Sequence, residues 1–219
     1  MTMIPPDPHT EDPPSPGLEP APAVPPGPAP LDWTAALADQ LQWHWSHHLR
    51  PRLGGLTDQE YFWEPVPGCW SIRARGTSSA PIAAGPGDFV MEYAFPEPEI
   101  PPVTTIAWRL AHVIVGCFGA RTAAHFGGPP AEFRTFDYAG TADAALAQLD
   151  QAHDAWITGV RSLGEDGLAA PSGPAEAPFD ASPMAELVLH INREVLHHGA
   201  EIALLRDLYR ARKAGSDAL

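Results

Sequence analysis

An all-α fold, in the form of a four-helix bundle, is what this 219-residue sequence predicts, and three observations carry the prediction. Four stretches repeat apolar residues every three or four positions, the stripe of a helix that faces a core. Three of them open on Asp or Thr, which cap helix N-termini, and close on proline or glycine, which stop helices. Only one run, "FVMEYAF", is strand-like, and no internal repeat points to another architecture.

Residues 1–30, "MTMIPPDPHTEDPPSPGLEPAPAVPPGPAP", are dominated by proline, alanine and scattered acids and show no apolar period. Such a composition cannot bury enough surface to offset the entropy of ordering, so the segment is predicted to be a disordered Pro/Ala-rich arm. The bundle domain is expected over residues 31–213, with a short tail over 214–219. The arm has neither a basic stretch nor a continuous apolar one and does not read as a secretory signal. Nowhere do about 18 apolar residues run together to cross a membrane.

Helix one begins near Leu31 with Asp32 as its N-cap and ends near Pro51. A short turn follows at Thr57–Glu60, where the S/T-x-x-E pattern of a capping box occurs, and the chain breaks at Pro65, Pro67 and Gly68. Residues 73–103 are rich in Gly, Pro and Ser around "FVMEYAF" and are predicted to form a long loop or small hairpin between helices one and two. A connection of that length in a compact domain is usually functional. Helix two, "TTIAWRLAHVIVGCFGARTAAHFG", starts after Thr104 or Thr105 and stops at Gly127 and Gly128, and helix three opens on Thr141 and closes at Gly164. A polar loop over residues 165–182 leads into helix four, which contains "LVLHINREVLHHGAEIALLRDLY".

Charge and cysteine content remove several function classes. The formal net charge is −14 with only 13 Lys plus Arg, and no basic stripe is present, so a nucleic-acid partner is not expected. Cys69 and Cys117 are too few for a disulfide scaffold and lie in no CxxC pattern, which predicts free thiols in a reducing, cytoplasmic setting. Any bound metal must therefore be held by histidine and carboxylate.

Helix four carries an anomaly that points to such a metal. Its stripe reads Met184, Leu187, Ile191, Glu194, His198, Ile202, Leu205 and Leu208, with a glutamate and a histidine where apolar residues belong. Four residues apart, those two side chains share one face. A buried carboxylate needs compensation, and a cation compensates it most completely. On helix two the stripe Trp108, His112, Val115 and Gly119 sets His112 in the same anomalous position, with small residues nearby that permit close helix approach. His112, Glu194 and His198 make a His₂Glu set that leaves a coordination position open, as catalytic rather than structural zinc sites do.

The remaining histidines sort less sharply. His190 and His197 lie on a neighbouring flank with Glu201, where they either hydrogen-bond to the ligands or form plain surface. His44 and His48 repeat the i, i+4 spacing on helix one and either line a pocket or coat a solvated face, whereas His125 and His153 have no evident partner. Glu194 and His197 satisfy E-x-x-H, but the di-iron bundle chemistry needs a second copy and further inward glutamates, which the chain lacks. The H-E-x-x-H pattern of the zincin proteases is absent as well.

Helix two, with its central histidine, and a helix four reading "HINREVLHHGAEIALLRDLY" together resemble the DinB-like (DinB/YfiT) superfamily. The segment "LTDQEYFWEPVPGCWSIR" adds to the resemblance, which spans residues 31–213. It implies an up-up-down-down bundle that holds one divalent metal, zinc or nickel, through three side chains, which fall by position on His112, Glu194 and His198. The superfamily includes bacillithiol- and mycothiol-dependent transferases and a mycothiol-dependent maleylpyruvate isomerase, and its name implies no DNA binding.

The expected function is therefore a divalent-metal-dependent S-transferase that joins a low-molecular-weight thiol of mycothiol type to an electrophilic substrate. Trp63, Trp70 and Arg73, from the segment after helix one, are the expected pocket walls. Two alternatives stand beside this reading: a metal-dependent hydrolase or isomerase that uses no thiol, and a non-catalytic bundle in which Glu194 and His198 belong to a buried hydrogen-bond network. Some relatives form homodimers, and the sequence leaves oligomeric state open.

Overall fold

The computed structural model describes residues 31–216; the arm predicted for residues 1–30 and the end of the expected tail, residues 217–219, lie outside the described residues. Asp32 caps the first helix as its position predicts, its carboxylate accepting from the amide of Ala35 at 2.9 Å. Helix α1 spans Trp33–His44 and continues through a π-helical stretch, Trp45–Leu49, into a last turn, α2, at Arg50–Arg52. The short α3, Asp58–Tyr61, is capped by Thr57, whose hydroxyl accepts from the Glu60 amide at 3.3 Å. Only half of the capping box forms, because the Glu60 carboxylate turns inward to Arg206 instead of back to the cap.

The connection that follows holds more β structure than an all-α fold allows. Strands β1 (Ile72–Ala74), β2 (Ile82–Ala84) and β3 (Phe89–Tyr93) form an antiparallel sheet in the order β1-β3-β2. The strand-like run supplies the central strand, with Ile72 of β1 and Ala84 of β2 both opposite Met91. The two outer strands are three residues long, too short for a period of two to show in the sequence. Buried Glu92 ties this sheet together: its carboxylate accepts from the Ser71 amide at 2.9 Å, from Arg73 Nε at 3.0 Å and from the Ser78 hydroxyl at 2.7 Å.

Thr105 caps α4 (Ile106–His112), which runs through a second π-helical stretch, Val113–Gly119, into α5 (Ala120–His125). Thr141 caps α6, Ala142–Arg161. Within the region expected to be loop, Gly164–Ala169 forms a short helix, α7, and Pro174–Glu176 a single 3₁₀ turn. The last helix, α8, extends over Met184–Ser216 and so into the expected tail. Helices α1 and α4 each pack against both α6 and α8, and one continuous core joins them, with Leu41, Phe118, Leu149, Trp156, Val195 and Ile202 all but sealed from solvent.

The seam of α8 departs from its predicted stripe. Val188, Asn192, Val195 and Arg206 are buried, whereas Glu194 and His198 flank the seam with side chains 29% and 12% exposed, and Leu208 is on the surface. At 100° per residue, the centre of the buried face lies roughly 70° from the line through Glu194 and His198. Glu194 therefore stands at the border of the core, where a carboxylate keeps part of its hydration and is still held beside the neighbouring helix.

Candidate metal centre

His112 ends α4 at the point where the π-helical stretch begins. Insertions of this kind are common beside functional sites, because the wider turn re-aims the side chains that follow. Its ring is sandwiched between Trp108, with centroids 5.5 Å apart and planes 5° from parallel, and Phe133, at 6.1 Å and 9°. Trp108 is itself held, since its indole N–H donates to the Glu92 carbonyl at 2.7 Å. A methyl group at Gly116 would stand 3.0 Å from Phe133 Cζ and 3.3 Å from His112 Cε1, so any larger residue there would press the two rings back by a few tenths of an ångström.

One candidate ligand atom from each of His112, Glu194 and His198 lies within 4.8 Å of the others. His198 meets His112 edge to face at 4.6 Å between centroids, and its Nε2 is 3.6 Å from Glu194 Oε2. On the opposite side His198 Nδ1 lies 2.7 Å from Glu201 Oε2. An ionised carboxylate can only accept, so that contact places a proton on Nδ1, and Nε2 is the ring nitrogen that faces Glu194. Arg109 completes the arrangement: its Nη1 donates to Glu201 Oε2 and lies 3.4 Å from His198 Nδ1.

Electrostatics keep His112 in ligand form. Burial above all, and after it the neighbouring His198 and Arg109, hold His112 down to about 4, so its imidazole is neutral at physiological pH. A 3.6 Å separation between nitrogen and oxygen suits a shared cation, since tetrahedral ligands on bonds of about 2.1 Å stand roughly 3.4 Å apart. Cys117, one turn beyond His112, is a different matter. Burial and the negative charge of Glu194 push its thiol up to about 12, which leaves it protonated and inert.

The other residues singled out from sequence are placed as follows. His190 Nδ1 lies 3.6 Å from Glu194 Oε1, and His197 Nε2 lies 3.4 Å from Glu201 Oε1. His197 and Glu201 form with His198 a second, more exposed group of ligand spacing, but Arg109 already stands against Glu201 there. Arg73 donates to Glu64, Glu92 and the Cys69 carbonyl, and so supports the sheet that holds Trp108. Trp63 packs edge-on against Tyr209, and Trp70 bridges through its backbone to Val103 and Thr105. His44 rests against Gly199, His48 is exposed, His125 meets Glu176 at 3.0 Å, and His153 stacks on Trp45 at 3.8 Å.

Sequence reasoning missed Arg109 and Phe133 and left Glu201 without its role. Arg109 and Glu201 each stand three residues from a trio histidine, a spacing visible in the sequence, whereas Phe133 comes from an irregular loop with no pattern to betray it. Among the described residues no helix is long and apolar enough to cross a membrane. The sequence profile of one protein family, the DinB superfamily, matches residues 90–202, just over half of the chain and all three members of the trio. No curated protein and no solved structure matches the chain.

Proposed function

For this chain, which belongs to the DinB superfamily, we propose that its long helices form the up-up-down-down four-helix bundle of that family and that His112, Glu194 and His198 hold one divalent ion, zinc or nickel. The activity proposed for that centre is transfer of a small thiol, of mycothiol type, to an electrophile. The observation that carries this reading is the convergence of three ligand atoms from two helices, with the His198 proton drawn to the far nitrogen by Glu201. A divalent cation, when bound there, supplies the Lewis acidity that keeps a thiol sulfur ionised near neutral pH.

The chain's own residues do the rest. His112 stays neutral through burial and is held in one ring orientation by its stacking on Trp108 and Phe133. Glu201 orients His198, and Arg109 balances the Glu201 charge so that the Glu194 carboxylate faces the cation. Arg73 acts from behind, fixing Glu92 and through its carbonyl the Trp108 ring. The same reading puts the protein in a reducing cytoplasm, in keeping with two free, buried cysteines.

The test is metal content, by plasma mass spectrometry on untagged protein beside a His198→Ala variant, followed by thiol consumption with a panel of electrophiles. About one ion per chain, lost in the variant, with thiol consumption that needs the ion, is the expected result. No metal after incubation with Zn²⁺ and Ni²⁺ overturns the centre. A metal with no thiol consumption overturns the transferase and favours the hydrolase or isomerase alternative.

A further inference from the structure

A cleft of about 550 Å³ runs beside the candidate metal centre, between the segment that precedes α8, Arg121 of α5 and the first half of α8 itself. Its end nearest the trio is basic: His190 and Arg193 line it, with His190 Nδ1 3.6 Å and Arg193 Nε 3.9 Å from Glu194 Oε1. About half of the remaining lining is apolar, with Leu189 and Phe179 exposing 46% and 70% of their surface, and the carboxylate of Glu186 also lines the cleft. Apolar side chains left open on the rim of a concave site are surface for an organic ligand, with a few placed polar groups to orient it.

The charges lining the cleft are not equivalent. Arg121 is committed to Glu176 at 3.2 Å, and Glu176 also takes His125 Nε2 at 3.0 Å, so that group is internally balanced. Arg193, with its side chain 69% exposed, presents a guanidinium to the cleft and touches His190 Nδ1 at 2.7 Å. A guanidinium fork matches the two oxygens of a carboxylate. Glu186 in the lining, the nearby Glu194 and the field of a chain with net charge −14 repel a phosphate dianion or a polyanion more strongly than a single carboxylate.

We propose that this cleft binds the organic co-substrate, with Arg193 and the adjacent His190 anchoring a single carboxylate while the apolar body of the molecule lies against Leu189 and Phe179. Its role as a co-substrate site rests on the metal-centre reading, but the recognition of a carboxylate does not. The site therefore selects small amphiphilic monoanions.

The test uses the full chain stripped of metal by chelation, titrated by NMR with 4-phenylbutyrate and with its uncharged isostere 4-phenylbutanamide. The carboxylate should bind about fivefold more tightly than the amide, the advantage of one exposed charge-assisted contact. Arg193→Gln should equalise the two probes with an unchanged melting temperature, because the side chain is mostly solvated, and Leu189→Ser should weaken both alike. Equal affinity of the wild type for the two probes, no binding of either, or a preference that survives Arg193→Gln overturns the proposal. Because no metal takes part, a chain that fails to bind metal but keeps the preference overturns only the metal-centre reading.

Discussion

Arg206 and His198 lie about two turns apart on the same helix and show two ways of keeping a polar side chain in or beside a core. Arg206 is fully buried, yet it is saturated: Nε and Nη2 donate to the two oxygens of Glu60 at 2.6 and 3.0 Å, and Nη1 donates to the carbonyls of Arg52 and Gly54. Every charge in that group has a partner of opposite sign, so it pins α3 and the end of α2 to α8 and has no valence left for a ligand. The trio around His198 is the reverse. His112, Glu194 and the Nε2 of His198 converge from two helices, with Arg109 and the His198 Nδ1–H turned toward Glu201 and with His190 and Arg193 only loosely placed, at 3.6 and 3.9 Å from Glu194 Oε1. A saturated group ties the fold together, whereas a group of ligand atoms that converge could hold a cation.

The largest predicted effect tests the closed pair. Arg206→Ala leaves the buried Glu60 carboxylate unpaired and should cost roughly 3–5 kcal/mol in urea unfolding, while replacing both partners by methionine should cost far less. Glu194→Gln, in metal-free protein, should change stability by under about 1 kcal/mol, because that carboxylate is already part-hydrated. Equal losses at Arg206 and Glu194 would erase the distinction between the two groups. A smaller effect, on affinity rather than on the fold, is expected at Glu201. Glu201→Gln should lower zinc affinity about 10–100-fold by chelator competition. Unchanged affinity would show that Glu201 does not orient His198.

The smallest effect belongs to a third polar residue that is neither saturated nor convergent. His153 is buried, stacks on Trp45, and has no partner for its Nε2. Burial, opposed by Asp154, holds it below the ordinary histidine value of 6.5. The unfolded chain therefore takes up that proton more readily, so the stability associated with neutral His153 is fully present above pH 6.5 and is lost as pH falls below it. His153→Phe keeps a flat ring on Trp45 and should flatten the acid side of the stability curve between pH 6.5 and the acid limit. A curve with the same slope as wild type would assign that slope to other groups.

Much of this molecule is local chemistry. Asp32, Thr57, Thr105 and Thr141 cap their helices because short oxygen-bearing side chains bond amides two or three residues on, an interaction that needs no distant partner. The trio was legible for a related reason: helical spacing alone puts Glu194 and His198 on one face, and His112 interrupts an otherwise apolar stripe. What escaped depends on partners far away in the chain. Glu60 reads as half of a capping box and Arg206 as one more cation near a helix end, and nothing local says that 146 positions of separation close into a buried pair. Arg73 reads as a pocket wall, but it faces Glu92, on a strand whose sheet partners are too short to announce themselves.

By itself, then, the sequence determined where the capped helices start and which three side chains converge, because propensity, capping and helical period act over a few residues. Only the tertiary structure decided how far α8 is rotated, so that Val195 rather than Glu194 enters the core, and which charges are saturated and which are left open. Those outcomes depend on burial and pairing between segments distant in sequence, and the free energy of a charge is set by its surroundings rather than by its neighbours along the chain.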